Sequence, residues 1–126
     1  MTDDRALADL DVCYLTTTGR HSGTSHRIEI WFALSDGAVY LLSGGGDGSD
    51  WVRNLTVSPQ VVLEIGDVKR TTKARVVTDP AEDAKARRLV VGKYQPRDRD
   101  DLTAWGRTSL PVAIEWGSDR EARPPS

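Results

Sequence analysis

Apolar and polar residues alternate from His26 to Leu34, and this alternation is the strongest secondary-structure signal in the chain. A period of two is typical of a half-buried β-strand. It places the neighbours Trp31 and Phe32 on opposite faces, with Phe32 on the face that carries the isoleucines. Asp36-Gly37 follows, and this dipeptide is the strongest short signal for a two-residue hairpin turn. We therefore predict an antiparallel partner strand at residues 38–43.

Shorter patterns of the same kind predict four more strands, which gives six in all. They lie at residues 12–17, 60–68, 69–77 and 110–116, and the middle two are joined by a turn near Gly66 and Asp67. Helices are predicted at residues 3–10 with Thr2 or Asp3 as N-cap, at residues 50–55, and from Asp79-Pro80 to about Tyr94. Six strands with hairpin-like connections and few helices predict a mainly β protein, an antiparallel barrel or sandwich. The spacing does not suit βαβ units, which argues against a Rossmann fold.

Composition limits the class of protein. The 126 residues and the apolar fraction of 38% suit one globular domain, placed at residues 1–117, with residues 118–126 as a disordered tail. The net charge of -2, from 17 basic and 19 acidic residues, argues against a nucleic-acid partner. No stretch approaches the ~20 apolar residues of a membrane span, and the start lacks the pattern of a signal peptide. We expect no membrane anchor, a cytoplasmic location, and a buried thiol at the single cysteine, Cys13.

A basic, hydroxyl-bearing turn between two glycines is the first candidate for chemistry. It reads Gly19-Arg20-His21-Ser22-Gly23, and Arg27 follows shortly after it. Backbone N–H groups in such a turn can cradle an anion, and an arginine can hold phosphate oxygens with two parallel hydrogen bonds. The turn lacks the ending of a Walker A loop. The alternative is an ordinary hairpin turn with exposed charge, and spacing alone leaves both interpretations open.

A glycine-rich loop from Ser43 to Ser49 is the second candidate, and it leads directly into the helix predicted to start at Asp50-Trp51. Glycines let a ligand approach the backbone closely, and a helix N-terminus favours negative charge. The alternative is a flexible surface loop. Asp47 and Asp50 lack the spacing of an EF-hand, and two histidines with one cysteine make no zinc motif, so no metal site is predicted.

Aromatic side chains are the third candidate, because four tryptophans are many for a chain of this length. Such rings form either a wall on which a ring-shaped ligand stacks or a part of the packed core. The set comprises Tyr14, Trp31, Phe32, Tyr40, Trp51, Tyr94, Trp105 and Trp116. No acid–base pair is evident from the residues alone.

Two long sequence blocks are similar to motifs of a known family. Residues 15–23 read LTTTGRHSG and residues 51–61 read WVRNLTVSPQV. These blocks resemble the LTTxGRKSG and W-x-x-N-L-x-x-N-P-x-V motifs of the deazaflavin-dependent nitroreductases, which use coenzyme F420. Weaker similarities at residues 30–32, 36–37, 40–43 and 107–112 extend the resemblance over about residues 12–116.

The resemblance implies a six-stranded split β-barrel of the FMN-binding type, with the deazaflavin in a groove. The basic turn would contact the cofactor phosphate, the glycine loop would lie along the ring, and the W-x-x-N helix would pack on the same ligand. The cofactor-binding residues implied in this way are Arg20, His21, Ser22, Gly23, Arg27, Ser43, Gly44, Gly45, Trp51 and Asn54. Trp31 and Tyr94 are assigned to the substrate wall.

Three departures from the family pattern change this picture. His21 replaces the usual lysine of the turn, and Gly44 stands where a lysine often follows the serine. The stretch from Tyr94 to Trp105 has one tyrosine and several charged residues, where the drug-activating nitroreductases carry several tyrosines. We therefore expect a more polar substrate wall, and we do not transfer the nitroreductase activity of these relatives to this chain.

The activity implied by the resemblance is hydride transfer from reduced F420 to a small electrophile, namely a quinone, an enone or a nitroaromatic. Solvent or a side-chain hydroxyl would supply the proton. Two alternatives remain open: FMN as the cofactor, and a non-catalytic barrel that binds or carries a deazaflavin, FMN or a haem-like ligand. Because split barrels often dimerise, a homodimer is also expected.

Overall fold

The computed structural model describes residues 4–117, which form seven β-strands and four α-helices. The strands are β1 (Cys13–Thr18), β2 (Ser25–Ile30), β3 (Ala33–Ser35), β4 (Ala38–Ser43), β5 (Gln60–Ile65), β6 (Val68–Val76) and β7 (Leu110–Glu115). The helices are α1 (Asp4–Ala8), α2 (Asp50–Val57), α3 (Pro80–Tyr94) and α4 (Thr103–Thr108), with single 3-10 turns at Gly46–Gly48 and Gln95–Arg97. The predicted N-cap at Thr2 or Asp3 and the predicted tail at 118–126 lie outside the described residues.

All seven strands pair antiparallel in the order β2-β1-β5-β6-β7-β4-β3. The two outermost strands, β2 and β3, are consecutive in the chain, so the sheet must curl until its two ends are joined by residues 31–32. The result is a curled half-barrel with few helices. This confirms the prediction of a mainly β, antiparallel barrel.

The single strand predicted at residues 26–34 is wrong, and this accounts for the seventh strand. β2 pairs with β1, placing Ile30 opposite Cys13, whereas β3 pairs with β4, placing Ala33 opposite Tyr40. Between β2 and β3, residues 31–32 carry the chain from one edge of the sheet to the opposite edge. Side chains of α3 hold this corner: the Phe32 N–H donates to the Tyr94 hydroxyl (3.0 Å), and Lys93 donates to the Phe32 carbonyl (3.0 Å).

The alternation in this segment still assigns the faces correctly. Phe32 is fully buried in the core inside the half-barrel, and Trp31 packs on the opposite side, against a second cluster between the sheet and α3. Cys13 is buried in the inner core as expected, and this burial raises the pKa of its thiol to about 12. Lys93 is half-buried, and desolvation lowers its pKa to about 8.

The predicted turns and the long helix are confirmed. Asp36 and Gly37 both have positive φ (51° and 79°), as a two-residue primed turn between β3 and β4 requires. Gly66 also has positive φ (59°), in the turn between β5 and β6. Asp79 caps α3 by accepting a hydrogen bond from the Glu82 N–H (2.9 Å), and the helix ends at Tyr94.

Helix α4 has no counterpart in the sequence prediction, and tertiary contacts with α3 stabilise it. Arg87 donates hydrogen bonds to the carbonyls of Gly106 and Arg107 (2.7 Å each). Gly106 lies so close to Val91 that a Cβ at this position would overlap the valine side chain. This close approach fixes α4, and with it Trp105, above the end of β4.

Candidate functional site

A cleft of about 450 Å³ opens between the turn after β1 and the first turns of α2. Its volume lies in the range of small-molecule sites. Residues from β1, the following turn, β2 and α2 line it: Thr17, Gly19, Arg20, His21, Ser22, His26, Ile28, Asp50, Trp51 and Asn54. The basic turn and the W-x-x-N helix predicted from the sequence therefore meet at one site.

Arg20 is held in the cleft by two residues of α2. Its Nη1 donates to Asn54 Oδ1 (2.9 Å) and its Nη2 to Asp50 Oδ1 (3.2 Å). The Arg20 N–H donates to the same Asn54 oxygen (3.2 Å), and Asn54 Nδ2 donates to Thr17 Oγ1 (3.2 Å). Asn54 is buried, so it connects β1, the turn and α2 through one side chain. The guanidinium is thereby positioned before any ligand arrives, and donors remain on its other edge.

The turn itself forms a small polar cradle beside Arg20. The Gly19 N–H donates to the Thr24 carbonyl (2.7 Å), and Gly23, with positive φ (73°), donates to the Gly19 carbonyl (2.8 Å). A Cβ at Gly19 would lie 2.7 Å from His26 Nε2 and 2.9 Å from Ser22 Oγ. Only glycine leaves this space open, with an imidazole and a hydroxyl at its edge. The cradle suits a small group rich in oxygen.

The cleft combines this polar end, where basic side chains predominate, with an apolar one. Arg20, His21 and His26 supply basic groups, whereas Ile28 and the indole of Trp51 supply apolar surface. A ligand that carries an anionic group on an aromatic ring system matches both ends. The donor set of the cleft therefore fits a phosphate-bearing ring cofactor.

Arg27 does not line the cleft, although the sequence suggested that it helps to bind the cofactor. Its guanidinium lies 4.1 Å from the centre of the Tyr14 ring and donates to Glu64 (2.7 Å). The hydrogen bond from Arg27 holds the pKa of the Glu64 carboxyl below its usual value. These contacts place Arg27 on the outer surface of the β2-β1-β5 part of the sheet.

The glycine loop lies beside the cleft, at the start of the same helix. Ser43 is buried, and its hydroxyl hydrogen bonds with Ser49 Oγ (2.8 Å) and the Gly46 carbonyl (2.8 Å). Ser49 immediately precedes α2, so the loop and the cleft flank the same helix start. Gly44 and Gly45 are both exposed. A ligand longer than the cleft could therefore continue along this backbone.

Trp31 and Tyr94, predicted as the substrate wall, stack on each other. Their ring centroids are 4.3 Å apart and their planes are 3° from parallel. Tyr94 is buried, and its hydroxyl donates to the Asp11 carbonyl (2.7 Å), so it is engaged within the fold. Desolvation raises the pKa of this hydroxyl to about 12. Trp31 is half-buried and meets a third ring, Trp105, edge-on at 5.7 Å between centroids.

Five residues line the cleft that were not among the site residues predicted from the sequence: Thr17, Gly19, His26, Ile28 and Asp50. Thr17 was detectable in principle, because it is a polar residue that follows Cys13 and Leu15 at the inward-facing positions of β1.

Within residues 4–117, no group of three or more metal-ligating side chains comes together. No helix in this part of the chain is both long and apolar enough to cross a membrane.

Comparison with known families gives a match over almost the whole chain. The model of the F420H(2)-dependent quinone reductase family matches residues 3–116. The chain belongs to this family. It is accordingly an F420H2-dependent reductase, an oxidoreductase whose cofactor is coenzyme F420 and whose substrate is a small molecule. No curated protein matches the sequence.

Solved structures support the assignment of the fold. A conserved hypothetical protein from Mycobacterium tuberculosis is 20% identical, with a TM-score of 0.70 over 100% of this chain and 91% of that chain. A structure described as an F420-H2 dependent reductase is 23% identical, with a TM-score of 0.66 over 84% of this chain and 96% of that chain. A protein from Bacteroides thetaiotaomicron, described as a putative 5-nitroimidazole antibiotic resistance protein, is 14% identical, with a TM-score of 0.69 over 91% and 80%. At these identities the likeness concerns the fold alone.

Proposed function

We propose that this reductase uses reduced F420 to reduce a small electrophile, a quinone, an enone or a nitroaromatic, and that the cleft around Arg20 holds the phosphate-bearing part of the cofactor. One observation carries the proposal. In a chain of an F420H2-dependent family, an arginine fixed by Asn54 and Asp50 faces a cleft with a polar cradle and an aromatic wall. When bound, the reduced deazaflavin supplies the hydride.

The protein's own part is binding and orientation. Arg20 donates charge-assisted hydrogen bonds to the phosphate, while Ser22, His21 and the backbone that ends at Gly23 complete the cradle. Trp51 and Asn54 hold the cleft side of the ligand, Asn54 by fixing Arg20. The backbone from Ser43 to Gly45 would flank the ring system of the bound cofactor.

The proton that completes the reduction comes from solvent or from a side-chain hydroxyl. Hydride addition to a quinone or an enone leaves an anionic oxygen that water can protonate, so a general acid with a strongly shifted pKa is not required.

Steady-state kinetics test the activity. Reduced F420 is mixed with the protein and menadione, cyclohexenone or nitrobenzene, and the appearance of oxidised cofactor is followed. Oxidation that requires both protein and acceptor supports the proposal. If no acceptor is reduced although oxidised F420 binds, the protein is a binder or carrier, as in the alternative drawn from the sequence.

Arg20→Ala tests the binding mode. If Arg20 makes a charge-assisted bond to the phosphate, the substitution weakens F420 binding by about 1.5–3 kcal/mol, which is roughly 10- to 150-fold in Kd. Arg53→Ala is the matched control, because Arg53 is exposed on the same helix and does not line this cleft. An unchanged Kd in Arg20→Ala removes Arg20 from the site.

Three further expectations belong to the same proposal. FMN is the alternative cofactor, and its binding is measured in parallel with that of F420. The homodimer is tested by sedimentation equilibrium, and the cytoplasmic location by fractionation of cells that express the protein.

A further inference from the structure

His26 brings an imidazole into the cleft that holds Arg20, and the binding mode described above gives this imidazole no role. His26 lies on β2 directly opposite Thr17 of β1, and both side chains line the cleft. A residue in a paired strand is held more firmly than one in a turn. His21, the other histidine of the chain, lies in the turn and makes no hydrogen bond to any residue between 4 and 117.

The imidazole of His26 packs directly on Gly19. A Cβ at Gly19 would lie 2.7 Å from His26 Nε2, which is closer than such an atom can approach. Gly19 does not have a positive φ, so its backbone conformation alone would accept other residues. The position of the imidazole, together with that of Ser22 Oγ, therefore excludes a side chain at residue 19. His26 Nε2 is thus placed at the floor of the cradle.

Ser22, Thr24 and His26 form a row of polar atoms along the edge of the cradle. Ser22 Oγ and Thr24 Oγ1 are 2.7 Å apart, and Thr24 Oγ1 lies 3.4 Å from His26 Nε2. A separation of 3.4 Å is long for a hydrogen bond, so Nε2 remains available to a better acceptor. A protonated imidazole carries an N–H donor on each ring nitrogen. An oxygen of a ligand in the cradle can therefore accept a hydrogen bond from Nε2.

The charged and titratable groups that face His26 come from two elements. The turn contributes Arg20 and His21, and α2 contributes Asp50, whereas β1 and β2 contribute only uncharged residues to this part of the cleft. Asp50 is paired with Arg20 at 3.2 Å, and neither histidine forms an ion pair with a described residue. A proton on His26 therefore adds a positive charge that an anionic ligand can compensate.

We propose that His26 is a cofactor-binding residue whose protonated imidazole donates a hydrogen bond to a phosphate oxygen of F420, so that the affinity for the cofactor falls as the pH rises. This inference rests on the proposed function, in which the cradle holds the phosphate. Imidazole side chains generally change charge between about pH 5 and 8, whereas a guanidinium stays charged. Arg20 therefore supplies the constant part of the attraction, and His26 supplies the part that depends on pH. By linkage, bound F420 must shift the titration of His26 to higher pH.

Binding measurements at about pH 6 and about pH 8 test the proposal, with tryptophan fluorescence as the signal. The Kd for oxidised F420 is compared between the wild type, His26→Gln, His26→Arg and His21→Gln. Because the cofactor has ionisable groups of its own, the differences between the proteins carry the test. The wild type should lose about five- to tenfold more affinity between the two pH values than His26→Gln, since a hydrogen bond from a charged donor is replaced by one from a neutral donor.

The other two variants show whether the charge at position 26 is responsible. His26→Arg keeps a positive charge at both pH values, so it should lose the extra pH dependence and bind F420 more tightly than the wild type at the higher pH. His21→Gln should retain most of the pH dependence of the wild type. Since His26 is exposed, none of its substitutions should change the urea midpoint.

Nuclear magnetic resonance of the wild type gives a readout that needs neither turnover nor a change in sequence. The chain has two histidines, so the spectrum of His26→Gln assigns both sets of imidazole C–H signals. These signals are followed against pH with and without oxidised F420. The midpoint of the His26 titration should move upward by about 0.7 to 1 pH unit, which is the five- to tenfold factor on a logarithmic scale.

The outcomes separate this inference from the proposed function. If F420 binds, but the wild type and His26→Gln share one pH dependence, the inference is overturned and the proposed function stands. The same holds if F420 leaves the titration of His26 unmoved, or if His21→Gln rather than His26→Gln abolishes the pH dependence. If F420 binds to the wild type at neither pH, the proposed function fails and this inference fails with it.

Discussion

Replacing Asn54 with alanine removes the side chain that connects three parts of the candidate site. Asn54 accepts hydrogen bonds from the backbone and the guanidinium of Arg20, and it donates to the hydroxyl of Thr17. Both Asn54 and Thr17 are buried, at 4% and 2% exposure. The substitution therefore leaves a buried hydroxyl and a guanidinium without their partner.

The size of the effect follows from these three bonds. A neutral hydrogen bond contributes about 1 kcal/mol to stability, and one to a charged group about 1.5–3 kcal/mol. The Arg20 side chain is 19% exposed and has a second partner in Asp50, so water and Asp50 compensate for part of the lost interaction. We expect the free energy of unfolding to fall by about 2–3 kcal/mol, and F420 binding to weaken because Arg20 is no longer held.

Urea denaturation of the wild type and three variants measures this prediction. Thr56→Ala is the matched control on the same helix. Thr56 is exposed, and its hydroxyl donates to the Val52 carbonyl one turn earlier (2.8 Å), so its loss should cost little. Asn54→Asp should retain more stability than Asn54→Ala, because it keeps an acceptor for Arg20 and the Thr17 hydroxyl can donate instead. If Asn54→Ala costs no more than Thr56→Ala, Asn54 does not hold the site together.

Two further predictions concern the packing that supports the site. Gly106→Ala should destabilise the protein by about 1–3 kcal/mol, because the added methyl group would overlap Val91. Gly92→Ala is the control, since the space around its added Cβ is open, and it should be neutral or stabilising. Urea denaturation of both variants measures the difference. The folded-state pKa of Lys93, about 8, lies below its ordinary value of 10.5, so between these pH values the unfolded chain binds more protons than the folded one. The free energy of unfolding of the wild type should therefore rise relative to that of Lys93→Met as the pH rises through this interval. If the free energies of unfolding of the two proteins change in parallel with pH, the lowered pKa of Lys93 is wrong.

The strands could be predicted from the sequence because alternation and turn chemistry are local signals. The paired positive-φ residues Asp36 and Gly37 show this, as does the assignment of Trp31 and Phe32 to opposite faces. The corner between β2 and β3 could not be predicted, because the alternation continues through it. The hydrogen bonds that Phe32 donates to Tyr94 and accepts from Lys93 fix the corner, and both partners are distant in the sequence.

The site was less predictable than the strands. The resemblance to family motifs indicated Arg20 and Asn54, but not that one holds the other across 34 positions of sequence. Arg27 belongs to the same basic cluster in the sequence, yet its ion pair with Glu64 takes it to another surface. Helix α4 depends on packing against Val91 and Arg87, so the place of Trp105 beside Gly44 is evident only in three dimensions.

Titration of the purified protein with oxidised F420, and separately with FMN, tests the central claim most directly. Trp51 lines the cleft, so tryptophan fluorescence reports binding there. We predict saturable quenching by F420, little by FMN, and a weaker F420 response in Arg20→Ala than in Arg53→Ala. Absence of F420 binding to the wild type, or quenching by FMN alone, would contradict the assignment of this cleft to the deazaflavin.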